Sequence, residues 1–523
     1  MPSITGSGYQ LGDDPSTPRT DATVPFRDII PRPDHPRIKG IEHHDAHTWC
    51  TSRREVPEPA WLINRLEIAN IERPYKGFSA DGKPDASVWV YGEDEGAPVE
   101  AAVAAAEKFL DGVSDEDRKA AVKGDVETDD EFRAWSNPEL YVNPGGIRLD
   151  ETDEKTQMLI HDLLRASLSP AGYHKANGCT LTNAFLGQLI NGQSVLNEHS
   201  YNFRLFGTPS LTAPWGFSFF GHHLCLQIVF VGKRMVIGPT FMGAEPDRID
   251  KGPHAGSRLF SQEEVRGLNL MRSLSEENQA RAQLNEDMVK GLAEDRWNPF
   301  DERHLGGAHQ DNRTVPYEGC PVSAMTNEQK EEIWSLVENF NIYLPDGPLE
   351  AHMKRVRQYE GQTYFAWIGK YGLGDPYYFR IHSPDVFCEF DFHCGIFLTN
   401  TSPAKCHIHT INRLPNVGDY GKALIRQYHA EQAKAEKHTS FSTDDAKLQK
   451  TLGTRRACVS QVEYTVRILS SVLRSPAFNE ELNEAEKTPA VTAGTQLHTA
   501  FKDRLTGPMR TYSLLQLVGC VAI

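Results

Sequence analysis

Polar and apolar residues are sorted along this chain with two periods. Between Asp153 and Leu168, the residues Leu159, Ile160, Leu163, Leu164 and Leu168 recur at helical spacing, with Pro170 just beyond. An apolar stripe of that period predicts an amphipathic helix stopped by the proline. Ser261–Leu284 opens with Ser261 and Glu264 at capping-box spacing and carries Val265, Leu268, Met271 and Leu274. Thr326–Ile342 opens with Thr326 and Gln329 and carries Ile333, Trp334, Val337 and Phe340 before Pro345. Both read as core-facing helices. Upstream, an Ala-rich helix is predicted over Val99–Leu110, and a second from Ser114, where Ser114 and Asp117 have capping-box spacing.

Two other blocks alternate with a period of two. Trp215–Met242 holds HLCLQIVFV and RMVIGPTFM on either side of Gly232-Lys233, a hairpin pattern. Thr363–Arg413 holds TYFAWIG, YYFRIH, DVFCEFDFH and CHIHTINR. Helices lying between strand blocks predict an α+β fold, a mixed and largely antiparallel sheet with flanking amphipathic helices. Residues 1–38, rich in Pro, Asp, Ser and Thr, read as a mobile N-terminal arm. Residues 39–430 read as one main domain, and 431–523 as a C-terminal extension packing on the core.

The second block carries the candidate chemistry. Side chains of a strand alternate between faces. In DVFCEFDFH, Asp385, Phe387, Glu389, Asp391 and His393 therefore share one face, and Val386, Cys388, Phe390 and Phe392 share the other. In YYFRIH, Arg380 and His382 fall together with Tyr378; in CHIHTINR, His407 and His409 fall with Ile411 and Arg413. If the three strands pair as a meander, His409, Glu389 and His382 converge. A His-x-His pair on a strand puts two imidazoles on one side, about 7 Å apart at Cα, within reach of a single ion. The bland alternative is the wet face of a half-exposed sheet, but such a face favours Lys, Thr and Gln over this run of His and acids.

A fourth ligand is expected from Gly221-His222-His223-Leu224. Alternation favours His223, which shares a face with Cys225 and Gln227. Asp419 reads either as a residue orienting an imidazole or as a turn aspartate beside Gly418. The HHDAH run at His43–His47 lies in an irregular, proline-flanked region and is a weaker metal candidate. Cys388 and Cys406 fall on apolar faces, which argues against a nucleophilic role. No G-x-S-x-G, no P-loop and no strand-linked G-x-G-x-x-G occurs, which disfavours a serine hydrolase, a nucleotide kinase or a Rossmann reductase.

Composition narrows the partners. The net charge of −16 over 523 residues, with no dense basic stripe, makes nucleic acid an unfavourable partner. The N-terminus lacks a basic n-region followed by an apolar h-region. The apolar run Leu514–Ile523 is too short to cross a bilayer, which needs about 20 residues, so no membrane partner is expected. Nine scattered cysteines without a C-x-x-C suggest reduced thiols and a cytoplasmic protein. Nothing in the pattern sets the oligomeric state.

Several phrases carry a family resemblance: FLDGVSDEDRKAA, LSPAGYHK, FGTPSLTAPWGFSFFGHHL, GPTFMGAEP, AGSRLFSQEE, YYFRIHSPDVFCEFD and HIHTINRLPNVGDYG. Together they resemble the domain-of-unknown-function family numbered 3500, of bacterial and fungal proteins, over roughly residues 55–430. The resemblance implies no settled activity. It places the GHH histidines, Glu389, Asp391, the HIH pair, Arg413 and Asp419 at family motif positions, and marks His393 as specific to one branch. Fungal-type members suggest, by analogy, an accessory enzyme of secondary metabolism.

The expectation is a metal-dependent enzyme acting on a small organic molecule. His407, His409, Glu389 and one of His222 and His223 bind the ion. Asp391 acts as a general base or as a group that orients a ligand, and Asp419 is a further catalytic candidate. Arg413 holds an anionic group, with Arg380, His382 and His393 contacting substrate. Zn²⁺ implies hydrolysis or lyase chemistry, Fe²⁺ oxygenation. The rival reading is a metal-free ligand-binding or scaffold protein.

Overall fold

The computed structural model describes residues 25–56, 59–60, 63, 74–140, 145–292, 303–308 and 310–441. Contacts divide the chain into Met1–Glu431 and Gln432–Ile523. The first 24 residues of the expected arm, and nearly all of the expected C-terminal extension, lie outside the described residues. Residues 25–38 of that arm are packed: Phe26 and Ile38 are buried, Arg27 pairs with Asp250, and Arg37 donates to the Gly395 carbonyl.

Among the described residues, twelve strands form one sheet. They are β1 (Val122–Lys123), β2 (Ile147–Arg148), β3 (Tyr201–Phe206), β4 (Trp215–Gly221), β5 (Leu224–Val231), β6 (Arg234–Ala244), β7 (Gln283–Asn285), β8 (Cys320–Pro321), β9 (Tyr364–Gly369), β10 (Tyr377–His382), β11 (Phe387–Phe392) and β12 (Ile408–Arg413). The order is β1-β3-β4-β5-β6-β12-β11-β10-β9-β7, with β2 beside β3 and β8 beside β9. Among these described strands, only β1–β3 and β7–β9 pair in parallel. The sheet is thus mixed and largely antiparallel, and with its helices the fold is α+β. The two strand blocks of the sequence join at β6–β12.

Both faces of the sheet are covered. On one side Phe379, Cys388, Phe390 and Ile408 share a core with Leu159, Leu268, Trp334 and Val337, the apolar stripes of the predicted helices. On the other side Cys225, Phe241 and Ile411 pack with Trp49, Trp135, Tyr420 and Leu424. The polar face of β10–β12 is therefore buried rather than wet.

The helices differ from expectation where local chemistry overrides periodicity. Ser261–Leu284 is two helices, Ser261–Ser273 and Glu276–Ala282, because Ser275 caps the second one through Asn278 N–H. Pro170 does not merely end a helix. It occupies the first turn of another, Pro170–Leu189, with Ser169 as cap. That helix is buried on many sides, so it shows no clean stripe. A β-carbon on its Gly172 would lie 2.2 Å from the Tyr343 Cα, which shows how closely the backbones approach. Thr326 and Gln329 do form a reciprocal capping box on Asn327–Phe340.

Candidate metal centre

The ladder β6–β12–β11 builds the site. Asp391 lies opposite His409, and His409 lies opposite Gly243. The glycine leaves room for rings: a β-carbon there would lie 2.8 Å from the His223 ring and 3.0 Å from the His409 ring. His223 arrives from the two-residue turn between β4 and β5. Its φ of 59° is in the left-handed region, where histidine is one of the more tolerant residues. The turn is clamped on both sides, since His223 N–H donates to Asn137 O at 3.0 Å and its carbonyl accepts from Gly243 N–H at 2.9 Å.

Three imidazole nitrogens converge here. His223 Nε2 lies 3.0 Å from His407 Nε2 and 3.1 Å from His409 Nε2. His407 Nδ1 donates to the Cys394 carbonyl at 2.6 Å, which orients its Nε2 lone pair toward the other two rings. His304, Asp391 and His393 extend the cluster. His304 Nε2 lies 2.6 Å from Asp391 Oδ1 and 3.3 Å from His409 Nδ1. His393 Nδ1 lies 3.3 Å from Asp391 Oδ2. Two groups, His223–His407–His409 and His304–Asp391–His393–His409, each bring ligand atoms within 4.8 Å of one another, and either can hold a metal ion. Their donors are imidazole and carboxylate, which suits Zn, Fe or Cu better than Ca or Mg.

Burial sets the charge states. It pushes His223 and His409 well below the ordinary histidine range, helped by their histidine neighbours, and lowers His407 too. Neutral imidazoles are the form that binds metal. Burial alone would raise Asp391, but His304 and His393 outweigh it and hold the carboxyl well below its usual range. Arg303 donates to Asp391 Oδ2 at 2.9 Å and to Phe392 O at 2.7 Å.

The other predicted residues are placed elsewhere. Glu389 faces Ile411, one same-face step from the cluster, and its carboxylate accepts from Leu305 N–H, Gly306 N–H and the Tyr378 hydroxyl. It anchors the segment that carries His304 instead of joining the ligands. His222 is turned aside: its Nδ1 meets Asn183 Oδ1 at 2.8 Å, its ring stacks on His223 at 3.9 Å, and burial lowers it to about 3. His382 is opposite Phe387, so it sits at the far end of the hairpin among Phe78, Tyr317 and Phe387, and the expected convergence with His409 does not occur. Arg380 pairs with Glu318.

Arg413 and Asp419 are structural partners. Arg413 bonds Asp311 at 2.7 Å, Asp419 at 3.0 Å and the carbonyls of Gly306 and Gly307. Asp419 also accepts from Leu414 N–H. Neither is offered to a substrate. In the HHDAH run, Asp45 caps the helix Ala46–Arg53, and His47 pairs with Glu151. Arg303 and His304 were missed in the sequence because they lie in an irregular stretch with no period. Their one signal is an Arg-His pair just before Gly306-Gly307. Glu245 was also missed; it accepts from Ile396, Phe397 and Leu398 N–H and lies 3.9 Å from His407 Nδ1.

The sheet and this histidine cluster lie within residues 95–422, which match the family model described as Protein of unknown function (DUF3500). The chain belongs to that family. No curated protein and no solved structure matches it. Among the described residues no helix is long and apolar enough to cross a membrane, and Cys179, Cys225, Cys320, Cys388 and Cys406 are free thiols.

Proposed function

We propose that the protein is a metal-dependent enzyme that acts on a small organic molecule by hydrolase or lyase chemistry. The carrying observation is the convergence of His223, His407 and His409 Nε2 at 3.0 and 3.1 Å. Three imidazoles form a donor set that suits catalytic Zn²⁺, and a bound divalent ion supplies a hydroxide nucleophile near neutral pH. The chain's own part is to hold the rings. Cys394 O fixes His407, the clamped turn fixes His223, and Phe241, with its ring centroid 5.0 Å from His409, limits water around it.

A groove of about 620 Å³, lined by Leu181, Phe185, Asn197, His199 and Ile249, has the size of a small-molecule site. Leu196 lines both this groove and the small cavity that reaches His222. A second reading, a non-haem iron oxygenase, draws on the His304–His393–Asp391 group, since two histidines and a carboxylate suit Fe²⁺.

Metal analysis of the purified full chain tests the proposal. Zn or Fe should co-purify and be lost in His223→Ala and His407→Ala. Hydrolysis of 4-nitrophenyl acetate should stop on chelation and return with Zn²⁺ alone. Iron with substrate-linked oxygen uptake supports the oxygenase instead. A metal content no higher in wild type than in the variants leaves the metal-free ligand-binding reading and overturns this one.

A further inference from the structure

His409 belongs to both ligand groups and presents a different nitrogen to each. Its Nε2 lies 3.1 Å from His223 Nε2, and its Nδ1 lies 3.3 Å from His304 Nε2. The two ring nitrogens of an imidazole point apart, so a single ion takes only one of them.

The proton inventory is informative. His304 Nε2 is 2.6 Å from a carboxylate oxygen, so it carries a hydrogen. His407 Nδ1 is 2.6 Å from a carbonyl, so it carries one too, and the neutral ring has a lone pair on Nε2. Neutral His409 has one N–H to place. On Nδ1 it meets the N–H of His304. On Nε2 it is donated to His223 Nε2, whose lone pair leaves no hydrogen for the contact with the His407 lone pair, 3.0 Å away. Every neutral arrangement sets like against like at one short contact. A cation on the three Nε2 atoms removes the second conflict but enforces the first, because His409 bound through Nε2 keeps its proton on Nδ1.

We infer that the centre holds two divalent cations bridged by the imidazolate of His409. One ion sits on Nε2 of His223, His407 and His409. The other sits on His409 Nδ1 with His304, His393 and Asp391. Loading the second ion releases the His409 Nδ1 proton to solvent and moves the His304 proton from Nε2 to Nδ1, so that His304 binds through Nε2 as a neutral imidazole. Arg303 holds Asp391 Oδ2 and leaves Oδ1 for the ion. Its positive charge makes the second site the weaker one, so the two ions load in order. The ions stand on the order of 6 Å apart, two metal–nitrogen bonds of about 2 Å each plus the width of the ring. This inference rests on the metal-dependent reading of the first group.

Titration of the metal-stripped full chain with Cu²⁺ alone, followed by electron paramagnetic resonance, tests it. The signal should grow to one equivalent and then fall toward zero as the second ion couples to the first across the ring. His304→Gln and His393→Ala should each stop at one ion with the full mononuclear signal. The wild-type titration itself needs no variant to fold, and Zn²⁺ content by elemental analysis should independently reach two per chain. A plateau at one ion, or two ions with undiminished summed signal, overturns the bridge while leaving the metal-dependent reading intact. No bound ion overturns both.

Discussion

Gly243 faces His409 across the β6–β12 ladder, and the absence of a side chain there is what lets the His223 and His409 rings meet. A methyl group at this position would press on both rings and on Ile408 O, 2.7 Å away. Gly243→Ala should therefore lose metal affinity by about 10- to 100-fold, the scale of disturbed ligand support. It should also cost stability by about 1–3 kcal/mol from overpacking. Chelator competition and denaturant unfolding separate the two effects. Unchanged affinity in a folded variant would show that the rings are placed by something else.

His222 and His223 differ in role despite being neighbours. His223 Nε2 faces the cluster, while His222 Nδ1 faces Asn183 and lies in a cavity wall. His223→Ala should abolish retention of the first ion. His222→Ala should keep it, with a loss of a few-fold at most from the missing stacked ring. Parallel metal analysis of the two variants is decisive, and equal loss in both would contradict the assignment.

Strand alternation made much of the site legible. It put Asp391, His393, His407 and His409 on one face, and it favoured His223 over His222, although His223 reaches the cluster from a turn rather than from a strand. Register was beyond it. The connection from His393 to His407 is too long to fix which residues face each other, whereas a two-residue turn would have done so. Pairing Asp391 with His409 instead of Glu389 with His409 is a shift of two residues, and it exchanges a ligand for an anchor. His304 had no period to betray it, and the layer that buries the polar face could not be read from the strands alone.

Glu389 tests that exchange. Its carboxylate accepts two backbone N–H groups and a hydroxyl at the segment that carries His304. Glu389→Gln turns an amide N–H toward these donors and should destabilise the chain by about 1–3 kcal/mol. The first ion should still bind, because none of His223, His407 and His409 bonds Glu389. Loss of that ion at unchanged stability would restore Glu389 to the ligand set.

Arg413 was expected to hold substrate, but its guanidinium is buried and spent on Asp311, Asp419 and two carbonyls. Removing one partner of a buried ion pair leaves the other charge uncompensated, so Arg413→Met should destabilise by about 3–5 kcal/mol. Metal content per folded molecule should be unchanged. A variant of normal melting temperature that has lost only activity would return Arg413 to a substrate role.

Asp385 gives the pH dependence a defined sign. It lies in the turn between β10 and β11, buried, with Oδ1 accepting from the Ser383 hydroxyl and Oδ2 unpartnered in the interior. Burial raises its carboxyl to about 6, above the ordinary aspartate value of about 3.9. The folded chain then holds this proton more tightly than the unfolded chain. Below pH 4 both states are protonated and the group is neutral to stability. As pH rises from about 4 through 6 the unfolded state ionises first, and the group destabilises the fold by up to about 3 kcal/mol, at 1.36 kcal/mol per pH unit. Asp385→Asn keeps an acceptor for Ser383 and removes the charge. It should therefore be more stable than wild type at pH 8 and nearly equal to it at pH 4. Urea unfolding at the two pH values checks this, and a gap that is the same at both would mean that Asp385 is not the titrating group.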